Sequence, residues 1–594
     1  MRHATLVVLA AGALPALAAS CRAPAANPAA TAAAARAASG PAIPARRPAS
    51  FPTDWRFEGG QDGATFGAHA MVASNSALAS AAGVEIMKAG GNAVDAAVAT
   101  GFALAVTLPQ AGNLGGGGFS VIRMADGRTA AIDYREVAPL AASRDMYLKP
   151  GVAADASVTG PLASGVPGSV AGLTAAQARF GKLTLAQVMA PAIRLAEEGF
   201  VVDSAFMGSL RWDSTRFAPY AASVAAFYPG GQVPAYGSRF RQPDLARTLR
   251  RIAERGADGF YKGETAALFE AEMKRDGGLI TRADLERYRP VWRDALSVPY
   301  RGYTLITMPP VSSGGTTIAE TLNILETYDS LPPFGSTAYT HVLGSAYQRA
   351  FVDRNSKLGD PAFVRVPVAE LTSKAYARQL RATIADGRYT PTRSLPAAGN
   401  EKTQTTHYAV VDADGNAVST TTTLNNSFGS AVTVGGAGFL LNDEMDDFAA
   451  HPGKPNMFGL VEGAQNEIAP GKRMLSSMSP TIVLDPKGGL LLVVGAAGGP
   501  TIITATSQVI LNVVDNRMSL ADAMRAPRLH HQALPDSLIV ERNGLRPAVR
   551  DSLAAMGYGF IERGAIANVN AVMRVPGGWE GMKEPRSVGG AVGY

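Results

Sequence analysis

The segment Gln404-Thr405-Thr406-His407-Tyr408-Ala409-Val410-Val411-Asp412 alternates in character, with Thr405, His407, Ala409 and Val411 on one face and Thr406, Tyr408 and Val410 on the other. A period of two is that of a strand. Asp414-Gly415 is a hairpin turn signal, and Ala417-Val418-Ser419-Thr420-Thr421-Thr422-Thr423-Leu424 returns as a second β-rich run. Pairing Val411 with Ala417 sets Thr423 opposite Thr405 on the same face, within reach of a hydroxyl–hydroxyl hydrogen bond. A slip of one residue would undo this. A threonine hydroxyl can serve as an acyl-transfer nucleophile, but only beside a base. The motif offers Thr405 none, and threonine is in any case a good strand former because its branched Cβ packs on a pleated surface.

Further blocks lie on either side of this hairpin. Upstream are Gly90-Gly91-Asn92-Ala93-Val94-Asp95-Ala96-Ala97, Gly112-Asn113-Leu114-Gly115-Gly116-Gly117-Gly118-Phe119, Asp133-Tyr134-Arg135-Glu136, and Met308-Pro309-Pro310 leading to Ser312-Ser313-Gly314-Gly315. Downstream are Met445-Asp446-Asp447-Phe448, Leu475-Ser476-Ser477-Met478-Ser479-Pro480-Thr481 and Gly498-Gly499. With Gln404–Tyr408 and Thr423-Leu424-Asn425, these blocks run in one order from about residue 67 to 594 and resemble the γ-glutamyltranspeptidases, a family of N-terminal-nucleophile hydrolases. The resemblance implies an α/β fold, a four-layer αββα sandwich. It also implies a chain cut into a large subunit, 55–404, and a small subunit, 405–594, that share one core.

By the family's logic the Thr405 hydroxyl attacks the Gln404 carbonyl, the peptide becomes an ester, and water releases it. Thr405 then carries an α-amino group with an unperturbed pKa of about 7.7–8.0, able to take the proton of its own hydroxyl at neutral pH. Thr423 would orient that hydroxyl. Gly498 and Gly499 follow an apolar strand, 490–494, and precede a helix from about Thr501 to Asn512. Glycine N–H groups at a helix start suit a developing oxyanion, although the same residues also suit a plain strand–helix turn.

A γ-glutamyl donor bears an α-ammonium and an α-carboxylate at the end away from the scissile bond. For the ammonium the resemblance implies Glu444 and Asp447, with Asn425 as a neutral partner and Asp446 as a surface acid. For the carboxylate it implies Ser476, Ser477 and Arg135, whose guanidinium presents two parallel donors that a lysine could not replace. The expected donors are glutathione and related γ-glutamyl compounds, and the expected acceptors are water or the amine of an amino acid or dipeptide. No metal or organic cofactor is implied: the seven histidines are scattered without ligand spacing, and His530-His531 alone is no site.

Three departures stand out. Phe458, in the 452–466 segment that matches the family's lid loop, stands where tyrosine is common. Gly495-Ala496-Ala497 replaces a more polar lead-in to Gly498, and Glu584-Pro585-Arg586 replaces the usual Asp-Pro-Arg. Rival readings are a cephalosporin acylase or a poly-γ-glutamate-processing enzyme of the same fold, or a non-catalytic exported binding lipoprotein.

The remaining features bound the setting. At 594 residues, 47% hydrophobic and 18% charged, the chain is globular rather than disordered. The net charge of +6 is spread among acids without a basic run, which argues against a nucleic-acid partner. Arg2 and His3 precede an apolar run from Ala4 to Ala19, a secretory signal over 1–20 too short for a transmembrane helix. Cys21, the only cysteine, follows Leu17-Ala18-Ala19-Ser20. That resembles a lipoprotein box with Ala18 where a larger aliphatic residue is usual, and cleavage after Ala18 is the alternative. The protein is expected to be exported to the periplasm, with lipid anchoring through Cys21 if the box is used. Residues 21–54, rich in Ala and Pro, read as a disordered tether. The Gly115–Gly118 run leads into a strand rather than a helix, so it reads as close packing rather than a phosphate cradle. Helices are expected at Asn75–Ala89, Asn92–Thr107, Thr184–Ala196, Gln242–Arg255, Gly263–Lys274, Thr317–Thr327 and Tyr339–Phe351. An exposed loop is expected from Ala385 to Lys402.

Overall fold

A computed structural model describes residues 55, 60, 62–392, 405–451 and 453–594. The signal, the tether, Cys21 and Gln404 lie outside the described residues.

Two seven-stranded sheets make the centre of the fold. The first runs Gly590–Gly593, Met71–Ser74, Thr405–Val411, Ala417–Thr423, Gly117–Arg123, Thr129–Asp133, Val291–Arg293. The second runs Thr65–Gly67, Gly578–Met582, Asn568–Val575, Leu490–Ala497, Thr481–Leu484, Tyr303–Thr307, Leu296–Tyr300. Neighbours in both pair antiparallel. Each sheet therefore mixes strands from before and after residue 404, and neither half of the chain closes a sheet alone.

The alternation read from the sequence divides the layers. Ala409, Val411, Phe119 and Val121 belong to one buried cluster with Val494, Ala496, Val569 and Ala571 of the second sheet. The other face of the same hairpin, Tyr408, Val410 and Val418, joins Phe102, Ala103 and Val106 of the helix Ala93–Thr107. On the far side of the second sheet lie the helices Gly314–Leu325 and Thr501–Val514. The order is helix, sheet, sheet, helix: the four-layer αββα sandwich expected, with apolar faces covered on both sides.

Local chemistry moves several element ends. Asn92 caps Ala93–Thr107 through a capping box with Asp95. Ser76, not Asn75, caps the helix Ala77–Lys88. The Asn75 amide is engaged elsewhere: its carbonyl oxygen accepts from Thr406 Oγ1 at 3.1 Å and from Asn570 Nδ2 at 2.8 Å. The helix expected from Thr317 begins at Gly314, behind Ser313. The loop expected from Ala385 is exposed as far as Pro391 except at Tyr389, which is buried against His531 and Asp536. Among the described residues no helix is long and apolar enough to cross a membrane.

Candidate active site

The hairpin register is the one the turn allowed: Val411 pairs with Ala417 and Thr405 with Thr423. Asp412 stiffens the turn by accepting from the N–H groups of Asp414 and Asn416 at 3.0 and 2.9 Å, and it also accepts from the Ala93 N–H at 2.8 Å. The hairpin is thus fastened to the N-terminus of a buried helix at its turn end. At its other end the Thr423 carbonyl accepts from Asn113 Nδ2 at 2.8 Å.

Thr405 and Thr423 place their hydroxyls 3.1 Å apart, both buried. The Asn425 N–H donates to Thr423 Oγ1 at 2.8 Å. Asn425 itself has φ +80°, a left-handed conformation that asparagine tolerates better than most. That turn brings Asn425 to the cavity beside Thr405. Arg135, Glu444, Asp447, Ser476, Ser477 and Gly499 line the same cavity. Residues far apart in the sequence therefore meet at one cavity, and Gly498 adjoins the group through Gly499.

Arg135 is almost wholly buried. Its terminal nitrogens meet Glu444 Oε2 at 2.5 Å, Glu136 Oε2 at 3.4 Å and the Asp447 carboxylate, and they reach the Leu475 carbonyl at 3.3 Å. The guanidinium and the acids that were assigned to opposite ends of a donor thus lie in contact with one another. Burial pushes Glu444 well above the carboxylate range against the opposing pull of Arg135, raises Asp447 for the same reason, and lifts Glu136 to about 7. Three buried carboxyl groups around one guanidinium do not all hold a charge unaided, and an incoming cation would favour their ionised forms. Glu444 Oε1 has no hydrogen-bond partner among the described residues.

Asp446 corrects the sequence reading. It is not a surface acid but is buried, accepting from Ser157 Oγ at 2.7 Å and from the Met457 N–H at 2.9 Å. It anchors the 453–466 segment, whose Phe458 and Leu460 line the cavity. The Phe458 ring carries no hydroxyl, and Asn425 Nδ2 donates to the Asp443 carbonyl at 3.1 Å and lies 3.6 Å from Met457 Sδ.

Gly498 and Gly499 have φ values of +139° and +55°, between the strand Leu490–Ala497 and the helix Thr501–Val514. Among the described residues no backbone carbonyl accepts from either N–H. Two unspent donors at a helix start are suited to an oxyanion. Against Gly495 of the strand Leu490–Ala497, His407 Nδ1 lies 2.9 Å from Thr421 Oγ1, and burial pushes the imidazole down to about 3, so it is neutral.

The sequence reading missed Arg354, Leu460, Met478 and Ile502, which complete the lining. It had a signal for Arg354, which falls on the helical stripe of Tyr347, Ala350 and Phe351, all buried. The Ser312-Ser313 block also gains a place. Ser312 Oγ donates to the Met478 carbonyl at 2.5 Å, and the Ser313 N–H and Oγ donate to the Ser476 carbonyl at 2.7 and 2.6 Å.

Comparison with known proteins places the chain in a family. The family model described as gamma-glutamyltranspeptidase matches residues 79–594. The glutathione hydrolase proenzyme of Escherichia coli strain K12 is 46% identical over 526 residues, covering 87% of this chain and 90% of that protein. The glutathione hydrolase proenzyme of Pseudomonas aeruginosa is 48% identical over 514 residues, covering 85% and 91%. Among solved structures, the cephalosporin acylase of Bacillus halodurans aligns with a TM-score of 0.79 at 27% identity, covering 93% of this chain and 99% of its own. With a family model spanning most of the chain and relatives this similar over nearly their whole length, the chain belongs to the γ-glutamyltranspeptidase family.

Proposed function

We propose that the protein is a self-processing γ-glutamyl hydrolase and transferase. The observation that carries the reading is the Thr405–Thr423 hydroxyl pair at 3.1 Å on the wall of a cavity that also holds Arg135, Glu444 and Asp447. In processing, a bond forms between Thr405 Oγ1 and the Gln404 carbonyl carbon, the C–N bond breaks, and the hydroxyl proton passes to the departing nitrogen. Water then cleaves the ester. This yields a large subunit of residues 55–404 and a small subunit of residues 405–594, held together by their shared sheets.

In turnover the freed amine accepts the Thr405 hydroxyl proton, the hydroxyl attacks a γ-glutamyl amide, and the N–H groups of Gly498 and Gly499 receive the oxyanion. Glu444, Asp447 and Asn425 take the α-ammonium, while Arg135, Ser476 and Ser477 take the α-carboxylate. For Arg135 to do so, the incoming ammonium must replace it as partner of Glu444 and Asp447. The two ends of the donor thus exchange with the two halves of an existing ion pair, so no charge is left buried alone. Glutathione and related γ-glutamyl compounds are the proposed donors, with water or an amino-acid or dipeptide amine as acceptor. The sequence of residues 1–20 supports export to the periplasm, with Cys21 as the point of lipid attachment if it is modified.

A second reading, an acylase for a bulkier acyl group, is favoured by the apolar part of the lining, Phe458, Leu460, Met478 and Ile502. Intact mass of the wild type beside Thr405→Ala tests the processing step. Two fragments, one beginning at Thr405, are expected only for the wild type, and a wild type that stays whole sinks the mechanism. Turnover of a γ-glutamyl anilide against a glutaryl anilide separates the two readings, because the glutaryl group keeps the carboxylate but lacks the α-ammonium that Glu444, Asp447 and Asn425 would hold.

A further inference from the structure

Arg354 is only 2% exposed and lines the cavity from the helix Thr337–Lys357. Its guanidinium is shared among three separate segments. Nε donates to Ser313 Oγ at 3.1 Å, one terminal nitrogen to Glu462 Oε1 at 2.6 Å, and the other to Ser477 Oγ at 3.2 Å. A guanidinium has donors only. Ser477 must therefore accept from it, and the Ser477 proton is left to give to whatever occupies the cavity. Ser476 is in the same position, since its Oγ accepts from the Met478 N–H at 3.2 Å. Ser313, which Arg354 also holds, carries the Ser476 carbonyl on its N–H and hydroxyl. One buried arginine thus reaches both hydroxyls, Ser477 directly and Ser476 through its backbone.

The charge of Arg354 is balanced from the other side. Glu462 belongs to the 453–466 segment, and its second oxygen is bonded by Asn466 Nδ2. The same segment supplies Phe458 and Leu460 to the lining. Neutralisation of a cation that stands directly behind a hydroxyl donor limits how strongly that donor attracts an anion.

We propose that Arg354 is a positioning residue that sets donor specificity. It orients the Ser477 hydroxyl outward as a hydrogen-bond donor, and its pairing with Glu462 sets how strongly the cavity prefers donors that carry an α-carboxylate. The inference rests on the proposed reading of Ser476 and Ser477 as the carboxylate seat.

The test compares two donors, γ-glutamyl-p-nitroanilide and 4-aminobutanoyl-p-nitroanilide, which differ only in the α-carboxylate. The quantity read is the ratio of their kcat/KM values, in proteins whose two fragments have been confirmed by mass. Arg354→Lys keeps the charge but cannot hold three partners in one plane, and it should lower the ratio about tenfold, through KM for the γ-glutamyl donor. Glu462→Gln removes the balancing charge and should raise the ratio severalfold, even where loosening of the covering segment slows both donors. If Arg354→Lys is not recovered folded, Glu462→Gln still decides by its sign. A purely structural role moves both donors together, so a ratio within twofold of wild type in the recovered variants overturns the proposal, as does movement of the ratio in one direction by both. A wild type that turns over neither donor defeats the proposed function itself, a different result from an active wild type with an unmoved ratio.

Discussion

Thr423 stands between Thr405 and the backbone: its hydroxyl lies 3.1 Å from that of Thr405, the proposed nucleophile, and accepts the Asn425 N–H at 2.8 Å. With one lone pair engaged by the backbone, Thr423 can give its proton to Thr405 Oγ1, which leaves the Thr405 proton free for a base. Thr423→Ala should slow both fragment formation and anilide turnover by roughly 10- to 100-fold, about 1.4–2.7 kcal/mol of barrier. Thr423→Ser, which keeps the hydroxyl, should stay within a few-fold. A time course of fragment formation checks the first step, and single-turnover release of the anilide checks the second. Equal behaviour of the alanine and serine variants would remove the hydroxyl from the mechanism.

The base in turnover is assigned to the Thr405 amine, so kcat/KM of the processed enzyme should rise with pH along a limb centred at about 7.7–8.0. His407, two residues away on the same face, is the competing candidate. Burial holds it down to about 3, and it has been neutral since well below the working range. Thr421 is its hydrogen-bond partner. A pH profile distinguishes the two: an acid limb near the ordinary histidine value of about 6.5 would point to an imidazole instead.

Glu136 makes stability pH-dependent in the opposite sense. Burial raises its carboxyl from 4.5 to about 7 against the pull of Arg135. The folded state therefore holds this proton more tightly than the unfolded chain does. The resulting stability is fully present below about pH 4.5 and is lost as pH rises through about 7. Glu444 and Asp447 are shifted in the same direction. Thermal melts should give a higher Tm near pH 5 than near pH 8, and Glu136→Gln should flatten that slope. A Tm that rises over this interval in the wild type and is unchanged in the variant would contradict the assignment.

The hairpin was legible because two local signals agreed: its alternation fixed the faces, and the Asp-Gly turn permitted one register that joined Thr405 to Thr423. The binding residues were legible as residue types in order, not as contacts. The sequence assigned Arg135 and Glu444 to opposite ends of a ligand, but proximity between residues so far apart in the chain has no local signature, and their 2.5 Å pairing emerges only from the fold. Asp446 was misread for a related reason. Three acids within four residues look solvated, whereas Ser157 and the Met457 N–H supply the bonds that make burial affordable. Asn75 lost its cap role because Thr406 and Asn570 compete for its amide oxygen. Arg354 was visible on an apolar stripe but passed over, because a charged residue near a helix C-terminus usually reaches solvent.

Gly495 links the Thr405–Val411 strand to the Gly498-Gly499 turn across the gap between the sheets. A Cβ at this position would lie 2.5 Å from both Cε1 and Nδ1 of the His407 ring. The ring cannot swing away freely, since it is fully buried and Nδ1 is bonded to Thr421. Gly495 pairs with Asn570, whose side chain holds the His407 carbonyl at 2.8 Å, so both neighbours of the ring belong to one network. Gly495→Ala must therefore push the two sheets apart or displace the imidazole. Overpacking of this kind costs about 1–3 kcal/mol. Three residues further along the same strand and turn is Gly498, so a shift of the strand also moves the proposed oxyanion donors relative to Thr405. The variant is expected to melt several degrees lower and to process more slowly than its stability loss alone explains. The check is fragment formation at a temperature where circular dichroism shows both proteins fully folded. Gly495→Ala combined with His407→Ala, which vacates the space, should recover the Tm without recovering the full rate. Additive losses in Tm would mean that the ring is not what the new methyl meets.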